Sequence, residues 1–144
     1  MNLLFLVLFI CLVILAVQFR SSNVKFWSDN IENVTRNNTL WRKVLFTGDN
    51  LQVVAMNIPA GQNLRWESHP SNEQFFRIET GTGLLEVKGE TSVNLSDGVA
   101  AVVPAGTEHN VTNTGNLPLQ LYTIYGPPHH PPKTIDSTHD DIER

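Results

Sequence analysis

From Leu40 onward the chain changes between apolar and polar residues in short runs rather than at helical spacing. Apolar-rich or alternating segments occupy 41–46, 51–58, 64–69, 74–79, 84–88, 91–95, 99–103, 109–112 and 119–125. The breaks between them carry Gly, Pro, Asn and Asp, as in Pro59-Ala-Gly61, Asp97-Gly98 and Pro104-Ala-Gly106. Short strands at this spacing, punctuated by turn residues, predict an all-β sandwich or barrel. Period-two alternation puts Gln74, Phe76 and Ile78 on one face of a strand and Glu73, Phe75 and Arg77 on the other. The run 99–103 reads as a strand buried in a barrel wall.

The first residues follow another pattern. Leu3 to Val17 is unbroken apolar sequence, and Gln18 and Phe19 precede the first cation, Arg20. It has no polar face, so it does not suit a core helix. No basic n-region precedes it and no small-x-small cleavage site follows it, which favours a retained anchor over a cleaved signal peptide. The expectation is a single-pass membrane protein, anchored by residues 1–20 with the transmembrane helix over 3–19. Arg20 and Lys25 follow the span, so the positive-inside tendency puts the rest of the chain on the cytoplasmic side. Glycosylation sequons at Asn33, Asn37, Asn94 and Asn110 point the other way, and the side stays open. Residues 21–39 read as a polar, Asn-rich linker. Residues 127–144 read as a Pro-rich, then acidic tail that lies on the surface or is disordered.

That leaves 40–126 of the 144 residues as one folded domain, enough for a modest core. The formal charge of −4 is mild and the cations are scattered, which argues against nucleic-acid binding. Cys11, the single cysteine, lies in the apolar N-terminus, so the domain has no disulfide, thiolate ligand or thiol nucleophile.

Two motifs carry candidate chemistry. In the stretch from Gly98 to Asn113, Gly98, Pro104, Gly106, His109 and Asn113 stand at fixed spacing. Gly98 suits a turn with positive φ, Pro104 ends a strand, Gly106 allows a tight bend and His109 opens the next strand. Upstream, Gly61 to Gly81 frames Glu67, His69 and Gln74. Together these resemble the two motifs of the cupin superfamily. The run His69-Pro-Ser-Asn-Glu-Gln-Phe-Phe-Arg-Ile-Glu-Thr-Gly-Thr-Gly83 and the later Leu121-Tyr-Thr-Ile-Tyr-Gly-Pro-Pro128 are similar to a small group of single-domain cupins labelled mannose-6-phosphate isomerase-like. The resemblance implies a cupin double-stranded β-helix, a jelly-roll barrel.

By position, the resemblance also makes Glu67, His69, Gln74 and His109 the ligands of a divalent metal such as Fe, Mn, Ni or Zn. Glu67 stands where such cupins carry a first His, and Gln74 where they carry a Glu. Glu73 is an alternative carboxylate in a shifted frame. Two imidazoles and a carboxylate make a facial set that leaves positions open for substrate. A metal-free cupin, in which these groups hydrogen-bond a ligand or each other, is the competing expectation. The implied function is a metal-dependent dioxygenase or isomerase acting on a small polar molecule such as a sugar. The alternative is a non-enzymatic small-ligand-binding or sensing module. The partners expected are the membrane and a small-molecule ligand, and a homodimer is compatible. Phe76, Ile78 and Tyr122 could line the pocket. Arg65, in phase with Glu67 and His69, could meet an anionic substrate but is expected at a strand end in water. His129 and His130, a His-His pair set among prolines, could look like a metal site but read as part of a solvated tail.

Overall fold

The structure is a computed structural model that describes residues 26–140. Among the described residues nine strands form two antiparallel sheets. β1 (Arg42–Thr47), β2 (Gln52–Ile58), β3 (Glu73–Thr80), β6 (Ala100–Val103), β8 (Leu119–Gly126) and β9 (Ile135–Asp136) make the larger sheet, in the order β6-β3-β8-β2-β1-β9. β4 (Gly83–Val87), β5 (Val93–Leu95) and β7 (His109–Asn113) make the smaller, in the order β5-β4-β7. Apart from β1 and β2, neighbours in the larger sheet are distant in sequence, as in a jelly roll. The two sheets enclose one core. Val54, Met56, Ile58, Phe76, Ile78, Leu119 and Leu121 come from the larger sheet, and Leu85, Leu95 and Val111 from the smaller.

The alternation in the sequence explains these faces. Along β8, Leu119, Leu121, Thr123 and Tyr125 are buried and their neighbours less so. β3 alternates likewise, with Gln74, Phe76 and Ile78 inward. The expected strand over 64–69 does not form. That segment meets β7 at two points, Asn63 opposite Thr112 and Glu67 opposite His109. Between them Arg65 adopts φ +62°, which breaks the extended conformation. The run 99–103 is also less buried than expected. β6 is an edge strand, so Val102 is 63 % exposed while Val103 is buried.

The segments flanking the barrel are docked on it. Helix α1 (Ile31–Arg36) begins at Asn30, whose side chain accepts from the Asn33 N–H at 3.0 Å. The Gln120 amide donates to the Arg36 and Asn38 carbonyls, at 2.8 and 2.9 Å, and ties the helix end to β8. Beyond Gly126 the chain crosses the barrel as a strap and returns to the sheet as β9, paired with β1. There Arg42 and Asp136, both buried, pair at 3.0 Å.

The expectation of a single-pass membrane protein is corrected. Among the described residues no helix is long and apolar enough to cross a membrane. Residues 3–19, on which the transmembrane and signal-anchor expectation rested, lie outside the described residues.

Candidate metal centre

The barrel brings Glu67, His69, Gln74 and His109 to one place. His109 opens β7, and reciprocal backbone hydrogen bonds of 2.9 Å hold Glu67 opposite it. His69 lies two residues on. Its carbonyl accepts from the Gly106 N–H at 2.9 Å, which joins the two motifs. Gln74 sits on the inward face of β3, in register with Tyr125 of β8. Glu73 is exposed on the other face, so the frame with Gln74 at the site is the one the fold uses.

Ligand-type atoms of Glu67, His69 and His109 lie within 4.8 Å of one another. Glu67 Oε1 is 3.4 Å from His69 Nε2 and 3.5 Å from His109 Nε2. Around an ion with bonds of about 2.1 Å, neighbouring ligand atoms stand about 3.0–3.4 Å apart, so the cluster is close to a coordinating size. Gln74 Oε1 adds a fourth polar atom, 3.0 Å from His109 Nε2. The Gln74 amide nitrogen donates to the Tyr125 hydroxyl at 2.9 Å.

The hydrogen-bond inventory also fits a cation. His109 Nδ1 faces the Thr107 carbonyl at 2.9 Å, and a carbonyl can only accept, so Nδ1 carries a proton. In neutral imidazole Nε2 is then a lone pair, and it faces the oxygens of Gln74 and Glu67, acceptors as oriented here. Three acceptors meeting need a proton or a metal ion between them. His69 Nε2 is buried and faces the Glu67 carboxylate at 3.4 Å, without the geometry of a well-formed hydrogen bond. The titration of the groups agrees. Burial pushes the Glu67 carboxyl up, but hydrogen bonding and charge attraction from His109 and His69 outweigh it and hold the acid at about 2. Burial pulls His109 down, yet Glu67 and the Thr107 carbonyl raise it above its ordinary value.

Other side chains complete the surroundings. Phe76 packs edge-on to His109, with ring centroids 5.9 Å apart, as expected of a lining residue. Ile78 is core. Tyr122 is not at the site. It points to the opposite face of β8 and meets Phe75 at 6.1 Å. Tyr125 takes the inward place, buried and 5.4 Å from His69, and burial pushes its hydroxyl pKa up. The same alternation that placed Gln74 would have picked Tyr125 over Tyr122. Arg65 is exposed.

The histidines of the tail depart furthest from expectation. His129 lies 4.2 Å from His69, ring to ring, and stacks on Tyr125 at 5.2 Å. His130 meets Tyr125 edge-on at 5.1 Å. Both belong to a strap held by Gln52, which is fully buried. A glutamine in an apolar strand was the one sequence signal available for this.

A jelly-roll barrel with two imidazoles, a carboxylate and a carboxamide converging inside defines a cupin-type centre. The chain belongs to the cupin family: residues 54–125 match its cupin domain. It is 44 % identical over 117 residues to the uncharacterised protein YrkC of Bacillus subtilis (strain 168), covering 78 % of this chain and 63 % of that one. It is 39 % identical over 110 residues to the uncharacterised protein L612 of Acanthamoeba polyphaga mimivirus, covering 74 % of this chain and 69 % of the other. The crystal structure of BH2720 from Bacillus halodurans superposes with a TM-score of 0.81 at 40 % identity, over 84 % of this chain and 96 % of that one.

Proposed function

We propose that this cupin holds one divalent first-row metal ion on Glu67, His69, His109 and the Gln74 carboxamide oxygen, and acts as an isomerase or dioxygenase on a small polar molecule with adjacent oxygens, such as a sugar. The carrying observation is the meeting of acceptors at His109 Nε2, with the buried His69 Nε2 on the same Glu67 carboxylate. A bound ion would act as a Lewis acid on the oxygens of the ligand. The chain's own residues orient it. The Thr107 carbonyl fixes the His109 tautomer, and Tyr125 holds the Gln74 amide. Glu67, ionised down to about pH 2, supplies negative charge and is better suited to hold a cation than to take a proton.

One observation favours a second reading, a metal-free module that binds a small ligand. Turned by 180°, the Gln74 amide would donate to His109 Nε2 and accept from Tyr125, leaving those two groups satisfied without a cation. Metal content after dialysis of the purified protein separates the readings. We expect close to one ion per chain in the wild type and almost none in His109→Ala. Equal content in the two proteins would rule out this centre. Conversion of a sugar or enediol by the loaded protein, lost on metal removal, would distinguish an enzyme from a binding module.

A further inference from the structure

We propose that His129, on the C-terminal strap, is a ligand-contacting residue of this centre, an imidazole that hydrogen-bonds a small anion or hydroxylated ligand arriving beside His69. The proposal rests on the metal-binding reading above.

The strap is built into the fold. The Gln52 carboxamide oxygen accepts from the backbone N–H groups of His129 and His130, at 3.3 and 2.9 Å, and its nitrogen donates to the His130 carbonyl at 2.7 Å. Asn72, three residues after His69, donates to the Pro127 carbonyl at 2.6 Å. Downstream, β9 and the buried Arg42–Asp136 pair hold the other end. A tail that merely trailed into solvent would not engage a fully buried glutamine and a buried ion pair.

The side chain is placed as a contact residue rather than as filling. Its ring lies against both His69 and Tyr125, yet His129 remains exposed, whereas His69, Gln74, His109 and Tyr125 are closed off from solvent. Among the described residues its ring nitrogens have no hydrogen-bond partner. Packing on Tyr125 would be served as well by an apolar ring, so the polar edge is in excess of what the fold needs. A ligand oxygen approaching the cluster meets the negative charge of Glu67, the other partly exposed group there. A hydrogen-bond donor beside His69 offsets that repulsion.

The test uses the full chain loaded with Co²⁺, with azide as the probe ligand, followed by the visible bands of the cobalt. His129→Phe keeps a ring on Tyr125 and removes the nitrogens. We expect cobalt affinity within about twofold of wild type and azide affinity about tenfold weaker, the loss of one hydrogen bond. His129→Asn, which keeps a donor, should recover part of the azide affinity. Azide binding unchanged in His129→Phe would overturn the proposal and leave His129 as strap packing. Loss of cobalt itself in both variants would also overturn it, by making His129 a metal ligand or a structural prop. Failure of the wild type to bind cobalt would instead refute the metal-binding reading, and this proposal with it.

Discussion

His109 is held at Nδ1 by a backbone carbonyl and faces two side-chain oxygens at Nε2, so a single imidazole sets the chemistry of the centre. Gln74 is the neutral member of the set and an amide oxygen is a weak donor, so its replacement by a carboxylate is informative. Gln74→Glu should tighten metal binding, because a charged oxygen replaces a neutral one. Without metal, the same change puts a second carboxylate in a buried site beside Glu67. The apo protein should lose about 1–3 kcal/mol, the range for a buried polar group deprived of a suitable partner. Thermal melts with and without metal would show a lower apo midpoint and a larger rise on loading. An unchanged apo midpoint would mean that residue 74 does not share the site with Glu67.

Among the elements, the strap differs most from its sequence appearance. A Pro-rich segment cannot form a regular ladder, so its position depends on side chains reaching out to it. Gln52 does this with three hydrogen bonds from inside β2. Gln52→Ala should cost roughly 2–4 kcal/mol, three ordinary hydrogen bonds partly replaced by water. The His129 and His130 amides should lose hydrogen-exchange protection while the β3 and β8 amides keep theirs. Retained protection at His129 and His130 would mean that packing on Tyr125 alone seats the strap.

For the molecule as a whole, buried and paired ionisable groups give the metal-free protein a stability maximum in pH. His130 is pulled down to about 3 from its ordinary 6.5, chiefly by burial and then by the charges of Arg42 and its histidine neighbours. Its neutral form is the one the fold accepts. Below pH 6.5 the unfolded chain takes up this proton before the folded chain does, so stability falls as pH falls from about 6.5 towards 3. Glu67 works in the same direction at lower pH, with stability lost between about 4.5 and 2. His109 has the opposite sign. Its folded pKa is raised, so its contribution is present below 6.5 and is lost as pH rises through that raised value. Urea midpoints across pH should therefore decline on both sides of a maximum near neutrality. His130→Phe should flatten the acid side, where a single group contributes a slope of up to about 1.4 kcal/mol per pH unit. If that variant keeps the full acid slope, His130 is not buried neutral in the fold.

The all-β barrel was legible in the sequence, because strands alternate with period two and turns need particular residues, whereas the grouping of Glu67, His69, Gln74 and His109 came from the resemblance of their motifs to those of cupins. Gly98 has φ +89°, as its place after Asp97 required. Gly81 has φ +88°, and a Cβ there would come within 2.5 Å of the Pro118 carbonyl oxygen, so the glycine framing the first motif is needed twice over. Gln74 faced inward for the same reason that Phe76 did. Three things were decided only by tertiary structure. One is the break at Arg65, where the strand expected over 64–69 gives way to two separate contacts with β7. Another is the exposure of Val102, since nothing local says which strand becomes an edge. The third is the environment of His129 and His130. Their neighbours in sequence are prolines, while the groups that hold them are Gln52 and Tyr125, brought near by the closing of the barrel. Local pattern reports which face of an element a residue occupies, and long-range hydrogen bonds decide what stands opposite it.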